Sequence, residues 1–347
     1  MASPTPRTAG APLQPSPGST LAGGSSLTAP AGLLPAPGPE PRGARTAHFR
    51  KVLDVAAAQS LLTPVVFIFV ALFLVPIGAS IFLSFTDFNG YTTHFSFVGL
   101  ANYRALLSSD QILSGLYFSI LYAVATTVLV TLIAVPLAVV LNRRFFGRNF
   151  VRAALFFPAV PSLLVLGLVW AYIFAPISSG VVNSVLHDLF GLGPVLWLSE
   201  DRLAQLSVII VGVWAQAGWH ATLYLAYLQS IPGDYYDAAM IDGASNYQCF
   251  FRITFPLLAP AMTVSVVLLM TGGLRVYELP LAITSGNGSP GGPGYSTYTV
   301  TQNILQFGVS QGQYGQGSAM SVLFLLLVVA ALLVVLSLLR RREARLR

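Results

Sequence analysis

Six long apolar stretches dominate the pattern of hydrophobic and polar positions along the chain. They occupy residues 61–83, 116–141, 153–175, 203–228, 257–274 and 318–339. A helix needs about 20 predominantly apolar residues to cross the hydrocarbon core of a bilayer. None of the six stretches contains Lys, Arg, Asp or Glu. The pattern therefore predicts an all-α membrane protein with six transmembrane helices.

The composition and the positions of the basic residues extend this prediction. Hydrophobic residues make up 55% of the chain and charged residues 9%, whereas soluble domains carry roughly 25% charged residues. Lys and Arg near span ends stay on the cytoplasmic side. The basic residues at the predicted inner ends are Arg42, Arg45, Arg50, Lys51, Arg143, Arg144, Arg148, Arg152, Arg340, Arg341, Arg342, Arg345 and Arg347. Loops on the opposite side carry Arg104 and Arg202. Both termini are therefore predicted to be cytoplasmic.

The chain divides into three predicted regions. Residues 1–48 are rich in Pro, Ala, Gly and Ser and cannot bury enough apolar surface to fold, so we expect a disordered cytoplasmic tail. Residues 49–340 form the transmembrane domain, and residues 341–347 form a basic cytoplasmic C-terminus. The net charge of +6 follows from the inner-side arginines, so nucleic-acid binding is not needed to explain it.

The residues that could carry chemistry are scattered. The four histidines, His48, His94, His187 and His220, lie on different segments, and Cys249 is the single cysteine. We therefore expect no catalytic site, no metal site and no cofactor in this chain. No phosphate-binding loop of the Walker type occurs in the sequence, so any ATP and magnesium would bind another subunit. His220 inside the fourth span is either functional or hydrogen-bonded to a neighbouring helix.

The polar loop at 229–256 is predicted to lie in the cytoplasm and to form two short helices. Asp234 can cap the first helix, with Asp237 as the acid of a capping box. Gly243 can end that helix in the left-handed conformation. Ser245 or Asn246 can cap the second helix, which Pro256 should stop.

The loop is also predicted to present aromatic side chains for docking. The aromatic residues expected to be exposed are Tyr235, Tyr236, Phe250 and Phe251. Exposed aromatic side chains on a rigid element suit a protein docking site. Cys249 is expected to lie within crosslinking reach of such a partner. The alternative is an amphipathic helix that rests on lipid headgroups.

The same loop carries a motif with fixed spacing. Asp237-Ala238-Ala239, then Gly243, Ile253 and Pro256, resembles the EAA signature of permease subunits in binding-protein-dependent ABC importers. Asp stands here where that family usually has Glu, and Phe255 where it usually has Leu. The resemblance implies the type I importer permease fold in the cytoplasmic (inner) membrane. It also implies that the loop is a coupling helix that docks on a cytoplasmic ATPase.

Two further segments are similar to the carbohydrate-type permeases, which include the maltose and glycerol-phosphate systems. Residues 97–103 are similar to their outer F-x-G-L-x-N-Y segment, and residues 277–297 to the run that follows their fifth span. The resemblance implies a pore formed with a second homologous permease subunit, a pair of ABC ATPases and an extracytoplasmic solute-binding protein, surrounded by membrane lipid. The cargo would be a sugar or a related carbohydrate, and which sugar is carried does not follow from the sequence.

A sugar path requires aromatic faces and hydrogen-bonding side chains near the middle of the membrane. The residues predicted to supply them are Trp170, Trp214, Trp219, Tyr224, Tyr277, Gln216, Asn303 and Gln306. For each aromatic residue, anchoring at the membrane interface or packing is the alternative. Arg275 and Glu278, three residues apart, are predicted to pair on one helix face, with a gating or substrate contact as the alternative.

Two other functions remain open at this point. An ion-coupled secondary transporter would favour charged residues inside the spans and an internal repeat, and the six apolar stretches contain no Asp or Glu. A membrane scaffold would not require the spacing of the loop motif.

The predicted topology can be tested with thiol labelling. In a Cys249→Ser background, single cysteines introduced by Ser109→Cys, Ser199→Cys or Ser289→Cys should react with a membrane-impermeant reagent in intact cells. A cysteine introduced by Ser245→Cys should not react, because its loop is cytoplasmic. Labelling at position 245 in sealed cells would overturn the orientation.

Overall fold

The structure is a computed structural model, and it describes residues 62–92, 94–176, 180–285 and 291–346. The chain divides into two units after Val66. Of the first unit, only residues 62–66, the beginning of the first helix, are described, so the account below concerns the second unit. The predicted tail at 1–48 lies outside the described residues, as do Arg50, Lys51 and Arg347.

Most of the described residues are helical. In chain order the first helices are α1 (Leu62–Leu83), α2 (Ala101–Leu107), α3 (Asp110–Asn142), α4 (Arg148–Phe156), α5 (Leu163–Ile173), α6 (Val181–Phe190) and α7 (Asp201–Leu228). They are followed by α8 (Asp234–Ile241), α9 (Asn246–Leu257), α10 (Ala259–Leu274), α11 (Glu278–Ser285), α12 (Val300–Asn303) and α13 (Tyr314–Leu346). Helix α13 therefore continues past residue 340, where the sequence suggested a boundary.

The predicted six-span, all-α fold is confirmed, with two of the spans built from bent helix pairs. Helices α1, α3, α7 and α13 are each long and apolar enough to cross a membrane. The other two crossings, the third and the fifth in chain order, require the pair α4 and α5, bent by 94°, and the pair α9 and α10, bent by 63°. The prediction of one continuous helix over 153–175 is wrong, and α10 covers all but the first two residues of the predicted span at 257–274.

The first bend has a local cause. Pro161 has no backbone N–H and cannot continue the hydrogen-bond ladder of α4. Ser162 adopts an extended conformation, with φ −64° and ψ 148°, and its side chain accepts a hydrogen bond from the Val165 N–H. Ser162 is thus the N-cap of a new helix. The chain therefore changes direction here, within a stretch that is apolar throughout.

Helix α7 lies at the centre of the bundle and packs against α3, α4 and α10. Apolar lipid tails give helices no reason to associate through hydrophobicity alone, so small residues that permit close packing matter in a bilayer. A Cβ atom at Gly218 of α7 would collide with the Leu155 carbonyl of α4. A Cβ atom at Gly273 of α10 would lie 2.7 Å from the Ala123 Cα of α3. These contacts fix the spacing of the four helices.

Hydrogen bonds join several helix ends on the predicted outer side. The Gly315 N–H donates to the Phe88 carbonyl at 2.9 Å, and the Gln205 Nε2 donates to the Ser296 carbonyl at 2.9 Å. The Asn102 amide donates to the carbonyls of Ser84 and Thr86, both at 2.8 Å. Through Asn102, the F-x-G-L-x-N-Y segment therefore donates hydrogen bonds to the carbonyl groups that follow α1, which is a structural role. The same contacts place the end of α1 beside the start of α13, as the alternating topology requires.

The close packing of α7 predicts a difference between two glycines. The substitution Gly218→Ala should lower the free energy of unfolding by about 1–3 kcal/mol, because the added methyl group meets backbone atoms that cannot rotate away. Gly272→Ala is the matched control, since a Cβ atom there meets nothing within 4 Å. Thermal unfolding of both variants in detergent measures the difference. Equal melting temperatures would contradict the contact between α4 and α7.

Candidate coupling loop and transport cavities

The first helix of the loop begins one residue earlier than predicted. Gly233 is the N-cap of α8, and its carbonyl accepts hydrogen bonds from the N–H groups of Tyr236 and Asp237 at 2.8 and 3.1 Å. No side chain caps this helix, so the predicted capping box of Asp234 and Asp237 is wrong. Both carboxylates still lie in the first turn, where the helix dipole favours negative charge.

The turn and the second cap confirm the local prediction. Gly243 has φ +77°, a conformation that residues with a side chain adopt at a cost. The Ser245 side chain accepts a hydrogen bond from the Gln248 N–H, and the Gln248 side chain accepts one from the Ser245 N–H at 2.8 Å. The hydroxyls of Tyr236 and Thr254 lie 3.1 Å apart. This last hydrogen bond ties α8 to α9, so the two short helices form one rigid unit.

The second helix ends at Leu257, one residue after Pro256, and a bend of 63° separates it from α10, so the predicted stop is confirmed to within one residue. Residues Phe250–Thr254 form a π-helical turn, and α9 continues through Leu257. A wider turn before a proline leaves room for the proline ring. Single π-turns inside α-helices are frequent at functional sites. The hydrogen bond from the Leu258 N–H to the Thr254 carbonyl, 3.0 Å long, carries the ladder across the bend into α10. The loop is thus joined to α10 without a flexible linker.

The exposed surface of the loop differs in part from the predicted one. Tyr235 and Phe251 are exposed as expected, whereas Tyr236 and Phe250 are half-buried. Sequence reasoning missed Ile241 and Tyr247, whose side chains are 87% and 72% exposed. Both residues flank the Gly243 turn. Their exposure could have been predicted from the sequence, because they are large hydrophobic or aromatic residues beside a glycine in a polar loop.

Three of the six predicted coupling residues, Ala239, Gly243 and Ile253, line a small cleft between α8 and α9. The cleft has a volume of about 280 Å³ and is lined by Ala239, Asp242, Gly243, Ala244, Gln248, Cys249, Arg252 and Ile253. Asp237 and Ala238 are exposed on α8, and Pro256 is half-buried. Cys249 is only 8% exposed. Because Cys249 also lines the cleft, its crosslink to a partner of the loop stays a prediction.

Three of the predicted path residues line a single cavity near the outer end of α10. This cavity, called the Arg275 cavity, has a volume of about 570 Å³. Its lining includes Gln216, Tyr277 and Glu278 together with Arg275 and Thr301. The predicted ion pair is absent, since no described carboxylate lies within salt-bridge distance of Arg275. Arg275 is the C-cap that follows α10 and Glu278 begins α11, so the two residues do not share a helix face.

A second cavity, called the Trp219 cavity, lies beside the bend between α4 and α5. It has a volume of about 310 Å³ and is lined by Pro158, Ala159, Pro161, Leu163, Ala215, Gln216, Trp219, His220 and Leu268. The Trp219 and His220 rings lie 4.7 Å apart. His220 Nδ1 lies 2.7 Å from the Ser265 hydroxyl of α10, which confirms a hydrogen bond to a neighbouring helix. Gln216 and Leu163 line both cavities. Polar and aromatic residues at 216, 219 and 220 share one face of α7, a spacing visible in the sequence.

The other predicted path residues lie elsewhere. Trp170 and Trp214 pack edge to face at 5.4 Å, and Trp214 lines an apolar groove beside α3. Asn303 is fully buried, and its side-chain carbonyl accepts a hydrogen bond from Gln111 Nε2 at 3.1 Å. Tyr224 is fully buried in the core. None of these four residues, nor Gln306, lines either cavity. Packing, an alternative considered above for the aromatic residues, accounts for Trp170 and Tyr224, and the hydrogen bond from Gln111 joins Asn303 to α3.

Six helical crossings, a rigid helical loop between two central spans and polar cavities beside those spans define the class of a membrane transport permease. Comparison with known protein families identifies the family of permeases. Residues 131–347 match the family described as binding-protein-dependent transport system inner membrane component. The chain belongs to this family. This finding confirms the resemblance seen in the sequence and supports the importer permease over the ion-coupled transporter.

Individual relatives and solved structures agree with this assignment. The chain is 32% identical over 293 residues to the arabinooligosaccharides transport system permease protein AraP of Bacillus subtilis, covering 83% of this chain and 90% of the relative. It is 31% identical over 265 residues to the probable starch degradation products transport system permease protein AmyD of Thermoanaerobacterium thermosulfurigenes, covering 76% and 87%. A chain of a bacterial alginate ABC transporter, solved in complex with a periplasmic protein, has the same fold, with a TM-score of 0.71, 20% identity and coverage of 85% and 98%.

Proposed function

We propose that this chain is the pore-forming permease subunit of an ATP-driven importer that carries a sugar or related carbohydrate across the cytoplasmic membrane. The observation that carries the proposal is the position of the loop at 229–258. It connects α7 and α10, the two helices that contribute Gln216 and Arg275 to the Arg275 cavity. A force applied to the loop would therefore act on the cavity directly.

Lengths along the helices support this coupling. Gln216 lies 12 residues before Leu228, the last residue of α7, which corresponds to about 18 Å at 1.5 Å per residue. Arg275 directly follows the last residue of α10, about 24 Å from its start by the same rise. Hydrogen bonds within the loop and across the bend into α10 leave no long flexible connection that could absorb a displacement. Tilting of the loop would move the cavity walls, as alternating access requires.

The chemistry of the cavities supports a carbohydrate cargo. Sugar rings present C–H faces that pack on aromatic side chains and hydroxyl groups that need hydrogen-bond partners. Trp219 and Tyr277 supply aromatic faces, while Gln216, Arg275 and Glu278 supply donors and acceptors. Two relatives bear names that refer to arabinooligosaccharides and starch degradation products. The shared lining residue Gln216 would contact a sugar that passes from one cavity to the other.

The proposed assembly includes a second permease, a pair of cytoplasmic ATPases and an extracytoplasmic solute-binding protein. ATP and magnesium would bind the ATPases. The exposed side chains of Ile241 and Tyr247 and the cleft between α8 and α9 would form the contact with an ATPase. Apolar and aromatic side chains at such a position are the type that dominates binding energy at protein interfaces.

Substitution of Gly243 tests the role of the loop. The change Gly243→Val should strain the backbone by about 1 kcal/mol or more, because a β-branched residue is placed at φ +77°. The resulting shift of α9 relative to α8 should reduce uptake of radiolabelled oligosaccharide and the amount of ATPase that copurifies. Gly233→Ala is the matched control in the same loop, since Gly233 has φ −60° and open space around it.

Protein abundance in membranes must be measured for both variants. Normal uptake and normal ATPase copurification with Gly243→Val would contradict the proposed coupling role of the loop. Reduced uptake with both variants would show that any change in the loop is harmful and would also count against the proposal. A complex that copurifies intact yet transports no carbohydrate from a panel of arabino-, malto- and chito-oligosaccharides would contradict the sugar assignment alone.

A further inference from the structure

The inner corner between α3 and α4 combines exposed basic and aromatic side chains. This segment, residues 143–150, is called the basic corner. Arg143 and Arg144 are exposed, and Arg148 is half-buried. Phe146 is fully exposed, and Phe150 is 78% exposed. Phenylalanine side chains in water are unfavourable, so the combination indicates a partner that is both anionic and apolar.

The arginines of the basic corner have no anionic partner within the part of the chain that the structure describes. The one ion pair among those residues joins His187 and Asp188. Arg152, one turn after Arg148, is already used, because its guanidinium donates to the Leu141 carbonyl at the end of α3, at 3.3 Å. Arg143, Arg144 and Arg148 therefore remain available to an external anion.

The apolar side of the basic corner continues into the surface that faces lipid. Phe157, 64% exposed, follows Phe150 by two turns, and Val140 near the end of α3 is 54% exposed. Within α4, Phe150 and Arg148 are two residues apart and therefore lie on opposite sides of the helix. A helix with one basic and one apolar face is suited to the boundary between headgroups and acyl chains.

We propose that the basic corner is a binding site for an anionic phospholipid of the cytoplasmic leaflet. Arg143, Arg144 and Arg148 would hold the headgroup phosphate by charge attraction, which lysine side chains also provide. Phe146 and Phe150 would lie beside the acyl chains. A soluble protein partner would satisfy the arginines but would have to cover phenylalanines that are continuous with the lipid-facing surface. A membrane supplies headgroup phosphates for the arginines and acyl chains for the phenylalanines.

The test is the lipid preference of the full-length chain together with the subunits that copurify with it. The chain is incubated in detergent with equal amounts of phosphatidylglycerol and phosphatidylcholine, and bound lipids are counted by native mass spectrometry. The double variant Arg144→Gln/Arg148→Gln should lose preference for phosphatidylglycerol by about fivefold for each arginine removed. The control Arg104→Gln/Arg202→Gln removes the same charge from the outer side and should keep the preference. The variant Arg144→Lys/Arg148→Lys should also keep most of it.

Three results would overturn the proposal. The first is an unchanged lipid preference in the glutamine variant. The second is an equal loss in the Arg104 and Arg202 control, which would show that net charge alone sets the preference. The third is a loss in the lysine variant as large as in the glutamine variant, which would point to misfolding. Loss of copurifying ATPase with an unchanged lipid preference would assign the basic corner to a protein partner instead.

Discussion

Close approach of helix backbones around α7 is the contact on which the rest of the structure depends. Gly218 of α7 leaves room for the Leu155 carbonyl of α4, and Gly273 of α10 leaves room for Ala123 of α3. In a lipid environment such contacts replace the hydrophobic driving force that assembles soluble bundles. Because α4 lies against Gly218, the bend that follows α4 forms a wall of the Trp219 cavity through Pro158, Ala159 and Pro161. The same packing therefore shapes the cavity that the proposed cargo would use.

The loop and the cavities are parts of one mechanical unit. Helix α7 carries Gln216 near its middle, α10 carries Gly272 near its outer end, and both helices meet the loop at their inner ends. Within the loop, the Tyr236–Thr254 hydrogen bond and the Ser245 capping box restrict motion between α8 and α9. The π-turn at Phe250–Thr254 lets the chain pass Pro256 as a helix. Each of these contacts removes a flexible point. A displacement of the loop would otherwise be absorbed there before it reached α7 or α10.

Hydropathy predicts the number of crossings because each needs a long apolar segment, and the bilayer allows few alternatives. It does not predict the 94° bend between α4 and α5, because Pro161 and Ser162 sit in a segment that remains apolar on both sides. The Gly243 turn and the Ser245 cap were predictable, since they depend on neighbouring residues. The predicted pairing of Arg275 with Glu278 is wrong, because the helix breaks between the two residues and a spacing of three does not reveal such a break. Asn303 was assigned to the path for its polarity, yet its hydrogen bond joins it to Gln111, which is distant in sequence.

The central claim is that displacement of the loop changes the cavity at Gln216. The most direct measurement is the rate at which a cysteine introduced by Gln216→Cys reacts with a small thiol reagent, in a Cys249→Ser background and in the proposed complex with its ATPase. The account predicts that the rate changes severalfold between the nucleotide-free and ATP-bound states, and that Gly243→Val removes this dependence. Equal rates in the two nucleotide states, in a complex shown to hydrolyse ATP, would contradict it.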